Sequence, residues 1–246
     1  MSIGTKGQIS VFDHFMGFET ATMGTTMLPA GSNGVNYVSV NEGSFAATVD
    51  EPGGILAITT DTADNDNCFL CIGPFKTADG GVIMEARLKM ADITTGALYV
   101  GFTETLDATT PVMPAEFDTV TMTYNGSGGM VGLQFDSDGT TDDWRAVFAD
   151  GGAVNSSADA QGTAAGNAAV NDEFDVVRVE IDPNGYARVY LANDDGGLKL
   201  VKEVNAAVVT PADLQFAVVG IENRSSAASV LEVDYFHARG YVDWTQ

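Results

Sequence analysis

The chain has 246 residues, with 34 acidic against 11 basic side chains and a formal net charge of −23. Such a surface repels phosphate backbones and anionic lipid headgroups alike, so nucleic acid and membranes are poor partners. Hydrophobic residues make up 45%, enough for a core, while 28 glycines and only 18% charged residues favour many short strands over helices.

Residues 1–36 show little periodicity apart from an aromatic knot at Phe12, Phe15 and Phe18. They read as an N-terminal arm docking through these rings, possible hosts being another subunit or an edge of the chain's own sheet. The start, MSIGTKGQIS, lacks a basic stretch followed by an apolar one, so no secretory signal is expected and assembly in a cytoplasm is. No apolar run is long enough to span a bilayer.

Residues 37–246 read as one domain. Strands are expected at 37–40, 45–49, 55–60, 68–72, 82–90, 97–104, 119–124 and 130–135. Further strands follow at 144–148, 174–182, 186–191, 198–203, 214–222 and 230–237. Several alternate with period two: Met84, Ala86 and Leu88 against Glu85, Arg87 and Lys89, and Val177, Val179 and Ile181 against Arg178 and Glu180. Asp182-Pro183-Asn184-Gly185 joins two such runs with residues that preset or accept turn dihedrals, a strong hairpin signal. Residues 150–171 break the rhythm and read as a long loop, or a weak strand and a loop. About fourteen strands with frequent turns predict an all-β, antiparallel, two-sheet jelly-roll sandwich carrying the N-terminal arm.

Few residues offer chemistry. Cys68 and Cys71 are the only cysteines; three apart on a strand, they face opposite ways and read as buried free thiols. His14 and His237, the only histidines, sit in no nucleophile motif. Asp136, Asp138 and Asp142 are the candidate calcium ligands, but their spacing departs from the helix-loop-helix pattern and favours a solvated turn. Neither a cofactor nor a metal is otherwise expected.

Three blocks together resemble the concanavalin A-like lectin/glucanase superfamily: Gly81–Lys89, with Glu85, Arg87 and Lys89; Val177–Tyr190; and Leu231–Phe236, with Asp234 and Tyr235. The resemblance spans roughly residues 37–240 and implies the same sandwich. Some superfamily members are laminarinase-type hydrolases, which need two carboxylates about 5–5.5 Å apart. Glu116 and Asp118 match that strand motif, but Val120 or Thr121 stands at the acid/base position, so the resemblance implies no catalysis. Thr60–Asp66, Glu85–Lys89 and Val100–Thr105 are similar to variants of this sandwich in virion structural proteins of tailed bacteriophages.

That second likeness implies a non-enzymatic capsid decoration (cement) protein. It would sit in the virion, bound to the major capsid protein or other virion proteins and assembled as a homo-oligomer, with a trimer as one expected form. The alternative is a glycan-binding module of a tail or fibre, with Trp144 as the stacking platform and Tyr124 next to it in rank. A laminarinase-like hydrolase comes third.

Overall fold

In Val82–Met90 every second side chain is buried, from Val82 to Met90, as the sequence alternation requires. The computed structural model describes residues 6–15, 21–22, 35–39, 43–48, 54–106, 112–119, 121–125, 128–150, 153–154, 162–192 and 197–243. Its strands are β1 (Lys6–Asp13), β2 (Ala21–Thr22), β3 (Asn36–Ser39), β4 (Ser44–Ala47), β5 (Leu56–Thr59), β6 (Asn67–Lys76) and β7 (Val82–Met90). They continue with β8 (Gly96–Thr103), β9 (Ala115–Asp118), β10 (Thr121–Tyr124), β11 (Met130–Asp136), β12 (Asp143–Asp150) and β13 (Ala153–Val154). The last six are β14 (Thr163–Ala168), β15 (Asp175–Ile181), β16 (Ala187–Ala192), β17 (Lys199–Val204), β18 (Leu214–Asn223) and β19 (Val230–Asp243).

Two antiparallel sheets form a sandwich. One has nine strands in the order β17-β16-β15-β7-β19-β5-β4-β2, with β1 also on β19; the other has eight, β13-β12-β11-β8-β18-β6-β3, with β14 also on β12. Between them lies a core of Leu70, Val100, Phe102, Leu133, Phe135 and Ile221 from the eight-stranded sheet, against Met84, Leu88, Val179, Leu231 and Phe236 from the other. The turn after β15 forms as its residues require: Gly185 has φ +82°, and Asp182 Oδ1 accepts from the backbone N–H of Asn184 at 2.7 Å and of Tyr186 at 3.0 Å.

The two sheets differ on their outer faces. The nine-stranded sheet carries an ion-pair ladder there, and the motif that resembles the lectin superfamily supplies it. Arg87 meets Asp234 at 2.6 Å, Lys89 meets Glu232 at 2.8 Å, and Tyr235 donates its hydroxyl to Glu85 at 2.8 Å. Arg178 adds contacts to Glu180 at 2.6 Å and Glu85 at 3.3 Å. These residues are a cross-strand lattice on a wetted surface.

The outer face of the eight-stranded sheet is instead buried. Strands β8 and β11 are buried at every position. Their outward residues, with Phe69, Cys71, Val147 and Val218, form a second apolar cluster beneath Met113, Ala115, Phe117 and Met122 of the β9–β10 hairpin. Glycines make room for the rings. A Cβ at Gly220 would stand 2.4 Å from the Phe69 ring, and one at Gly132 would stand 3.0 Å from Tyr99. The cysteines divide as the strand period dictates, Cys68 into the central core and Cys71 into this outer cluster, where burial pushes its thiol up to about 12.

Residues 6–15 do not extend as an arm. Strand β1 pairs with β19 from Lys6↔Asp243 to Asp13↔Phe236, with Ile9 and Val11 packed against the core. Phe15 is buried in that core, its N–H donated to Asp13 Oδ1 at 2.7 Å, so it offers nothing to another subunit. Phe12 faces outward at 49% exposure and stacks on Tyr235 at 5.7 Å; Phe18 lies outside the described residues. In the stretch read as a long loop, or a weak strand and a loop, β13 and β14 both pair with β12.

Candidate functional site

Where β18 ends, Asn223 and Arg224 gather three loops. Asn223 Nδ2 donates to the carbonyls of Asp61 at 3.2 Å and Ala63 at 3.0 Å, fixing the loop between β5 and β6. That loop turns at Asn65, whose φ is +66°, a conformation Asn tolerates. Its backbone N–H donates to the Asn223 carbonyl at 2.9 Å.

Arg224 sits inside a ring of carboxylates. Its side chain is 5% exposed and contacts Glu222 at 2.6 Å, Asp136 at 2.9 Å, and both Glu116 and Asp138 at 3.9 Å. It also donates to Asn65 Oδ1 at 3.0 Å. The planar guanidinium can serve several acceptors at once, which a lysine could not do. Asp136 is fully committed: Oδ2 accepts from Phe117 N and Arg224, and Oδ1 accepts from Asp138 N and Arg224. Glu116 accepts from Asn125 Nδ2. Burial pushes the Glu222 carboxyl up to about 7, opposed by Arg224 and reinforced by Glu116 and Asp136. Burial also raises Glu116, again against Arg224.

The hairpin that covers the sheet supplies one wall. Gln134 Nε2 donates to the Ala115 carbonyl at 2.6 Å, and the hairpin tip is tied to the β11–β12 turn by Thr119 N donating to the Asp138 carbonyl at 3.1 Å. The rim facing solvent then consists of Asp64, Asn65, Glu116, Asn125 and Asp138, with Asp138 open at 52% of its side chain. Fixed amides and carboxylates of this kind accept and donate hydrogen bonds without any mobile part to order.

Of the sequence candidates, Asp136, Asp138 and Glu116 come together here. Asp142 does not join them; it lies exposed in the next turn, its carbonyl accepting from Ala169 N. Both oxygens of Asp136 are spent on protein donors, and among the described residues no three His, Cys, Asp or Glu side chains are arranged to hold a metal ion. Trp144 is no stacking platform. It is 1% exposed, lies against Phe135 at 6.1 Å, and donates its indole N–H to Asp175 Oδ2 at 2.7 Å. A Trp between Asp and Arg in sequence reads as exposed; the strand period turns it inward. The Tyr124 hydroxyl donates to the Gly128 carbonyl, and burial raises it above the usual phenol range, so its polar end is already occupied. Glu222 and Arg224 belong to no motif in the sequence. The one signal was a charged pair closing an apolar strand in a chain with only 11 basic residues.

No protein-family model and no curated protein sequence matches the chain. Solved structures do. A protein of unknown function from Shewanella oneidensis MR-1 aligns at TM-score 0.64 and 14% identity, over 100% of this chain and 91% of its own. Peanut lectin aligns at 0.58 and 14%, over 96% and 99%. The fold is a concanavalin A-like sandwich. The exoplasmic/lumenal domain of VIP36, in a form bound to Ca2+ and Man2, aligns at 0.54 and 10%, over 93% and 86%. These sandwiches match the chain almost end to end, so the likeness embraces the fold as a whole.

Proposed function

We propose that the protein is a non-catalytic glycan-binding module, with the rim around Arg224 as its sugar site. The observation that carries the reading is the arrangement itself: exposed Asp138, Asn65 and Asp64 beside half-buried Glu116 and Asn125, all referenced to one buried guanidinium. Sugar hydroxyls are paired donors and acceptors, and fixed carboxylates and amides are their natural partners. The likeness to peanut lectin and to a Ca2+/Man2-bound form of a VIP36 domain supports the same reading.

Three carboxylates near one another invite a hydrolytic reading, since Glu222 at about 7 has the acidity of a general acid. Arg224 argues against it. The guanidinium stands between Glu222, Asp136 and Glu116, where a sugar anomeric carbon would have to sit. Assembly as a homo-oligomer belongs to the same proposal, because repeated copies multiply weak glycan affinity. Capsid decoration rests on the sequence likeness alone; the comparisons favour the glycan reading.

A glycan array tests it. The native chain is expected to bind a subset of immobilised oligosaccharides, and Glu116→Gln with Asp138→Asn to lose that signal while folding normally. Absence of binding by the native chain to every glycan would overturn the proposal, as would hydrolysis of any of them.

A further inference from the structure

The nine-stranded sheet bears a separate cavity of about 310 Å³, within the size range of small-ligand sites. It opens on the outer face, at the end where the β15–β16 turn and the segment before β7 come together. The strand register lays a row of outward residues across its floor, Arg239, Ile83, Glu180, Arg188 and Glu203, each opposite the next, with Ser10 on the far side of Arg239.

Two tyrosines stand at its walls. Tyr241 lies so close to the backbone that a Cβ at Gly80 would be 2.5 Å from its ring, and only glycine at that position permits the contact. Gly81, at φ +82°, takes the left-handed conformation that brings the segment against the Ile181 carbonyl. Opposite, Tyr186 closes the hairpin turn and stays 43% exposed. An aromatic pair flanking a polar floor suits a ring with apolar faces and a hydroxylated edge.

The floor charges decide what such a ring must carry. Arg188 is held by Glu203 at 2.8 Å, and Glu180 by Arg178 at 2.6 Å. Asp182 is spent on the N–H groups of its own turn. In the row, Arg239 has Ser10 on one side and Ile83 on the other, neither charged, and among the described residues no carboxylate lies within ion-pair distance of it. With the internal pairs set aside, Arg239 is the lining guanidinium without a carboxylate partner among the described residues, so its donors can take up one carboxylate of a ligand, although the charge of Asp182 leaves the lining without a net positive charge. Glu180 and Glu203 retain oxygens that can accept from hydroxyls.

We infer that this cavity binds a sugar residue bearing a carboxylate, a uronic acid, with Arg239 on the carboxylate and Tyr186 and Tyr241 on the ring. The acid is recognised by a guanidinium, which can take its two oxygens together. The long-range field of a chain with net charge −23 opposes any anion, so recognition depends on this local contact rather than on steering. This second site stands on the opposite sheet from the rim around Arg224 and does not depend on the glycan reading given to that rim.

NMR titration of the full chain with methyl glucuronide, methyl glucoside and acetate tests it. Methyl glucuronide is expected to shift the amides of Gly80, Gly81 and Tyr241, and to bind at least tenfold more tightly than methyl glucoside or acetate. Arg239→Gln should weaken methyl glucuronide at least tenfold. Should that variant fail to fold, Tyr186→Ala, altering an exposed side chain, should still lower the affinity severalfold. The Glu116→Gln, Asp138→Asn pair should leave it unchanged, which separates this site from the rim. Equal affinity for the glucuronide and the glucoside, unchanged binding by either cavity variant, or shifts confined to residues 61–66 would overturn the inference.

Discussion

The outer faces of the two sheets solve opposite problems with the same strand geometry. On the nine-stranded sheet, β7 and β15 alternate buried and half-buried residues because one face meets water, and the wet face is filled by the Glu85, Arg87, Lys89, Asp234 lattice. On the eight-stranded sheet, β8 and β11 are buried throughout because a hairpin lies over them. A sheet buried on both faces loses the period-two signature and reads as a continuous apolar run. The covered sheet offers no open platform, so its polar groups collect at the end of the hairpin, around Arg224.

The comparison breaks first at the buried rings. Tyr99→Ala should cost about 3–5 kcal/mol in chemical unfolding, since it empties the ring's place beneath the hairpin. A cost under about 1 kcal/mol would mean that the hairpin is not seated.

Arg224→Gln should cost roughly 3 kcal/mol at pH 8, because Glu222 and Asp136 would remain buried without their cation. The loss should shrink at pH 5, where Glu222 carries a proton in the folded chain. Equal losses at both values would remove Glu222 from the cluster.

Glu222 sharpens the same point through pH. Its folded carboxyl titrates near 7 and its unfolded one near 4.5, so the folded state holds the extra proton between those values. Stability contributed by this group is therefore greatest below about pH 4.5 and is lost as pH rises to and through 7, by roughly 3 kcal/mol. Glu222→Gln should flatten that decline; an unchanged slope in urea midpoints from pH 5 to 8 would contradict it.

The smallest effect belongs to the open face. Lys89→Ala should change stability by less than about 1 kcal/mol, since its ion pair with Glu232 is partly solvated. A loss matching that of Tyr99→Ala would erase the contrast between the faces.

This contrast also sets what the sequence could reveal. Strands with one wet face announce themselves, and the Asp182–Gly185 turn is equally plain, because each depends on neighbours in the chain. Strand β1 was legible only as one of two readings, an arm or an edge strand on the chain's own sheet, because Ile9 and Val11 make a short alternation within a stretch of low pattern and its partner β19 is more than 200 residues away. The hairpin β9–β10 was legible only as its second strand. Met113, Ala115 and Phe117 make apolar sense only once Tyr99 and Phe69 are known to need a cover. The site divided in the same way: Asp136, Asp138 and Glu116 stand out as acidic positions, whereas Arg224 acquires meaning through strands β6, β11 and β18 meeting at one end. Trp144 and Phe15, prominent as types, face inward because register rather than residue type decides exposure.

The central claim is that recognition belongs to the rim around Arg224, with the sheet behind it sealed. Hydrogen–deuterium exchange with and without an oligosaccharide that the native chain binds tests this directly. Added protection is expected at residues 61–66, 116–119, 121–125 and 136–138, with β8 and β11 unchanged. Loss of protection across the hairpin on ligand binding, exposing the face under Tyr99, would contradict it.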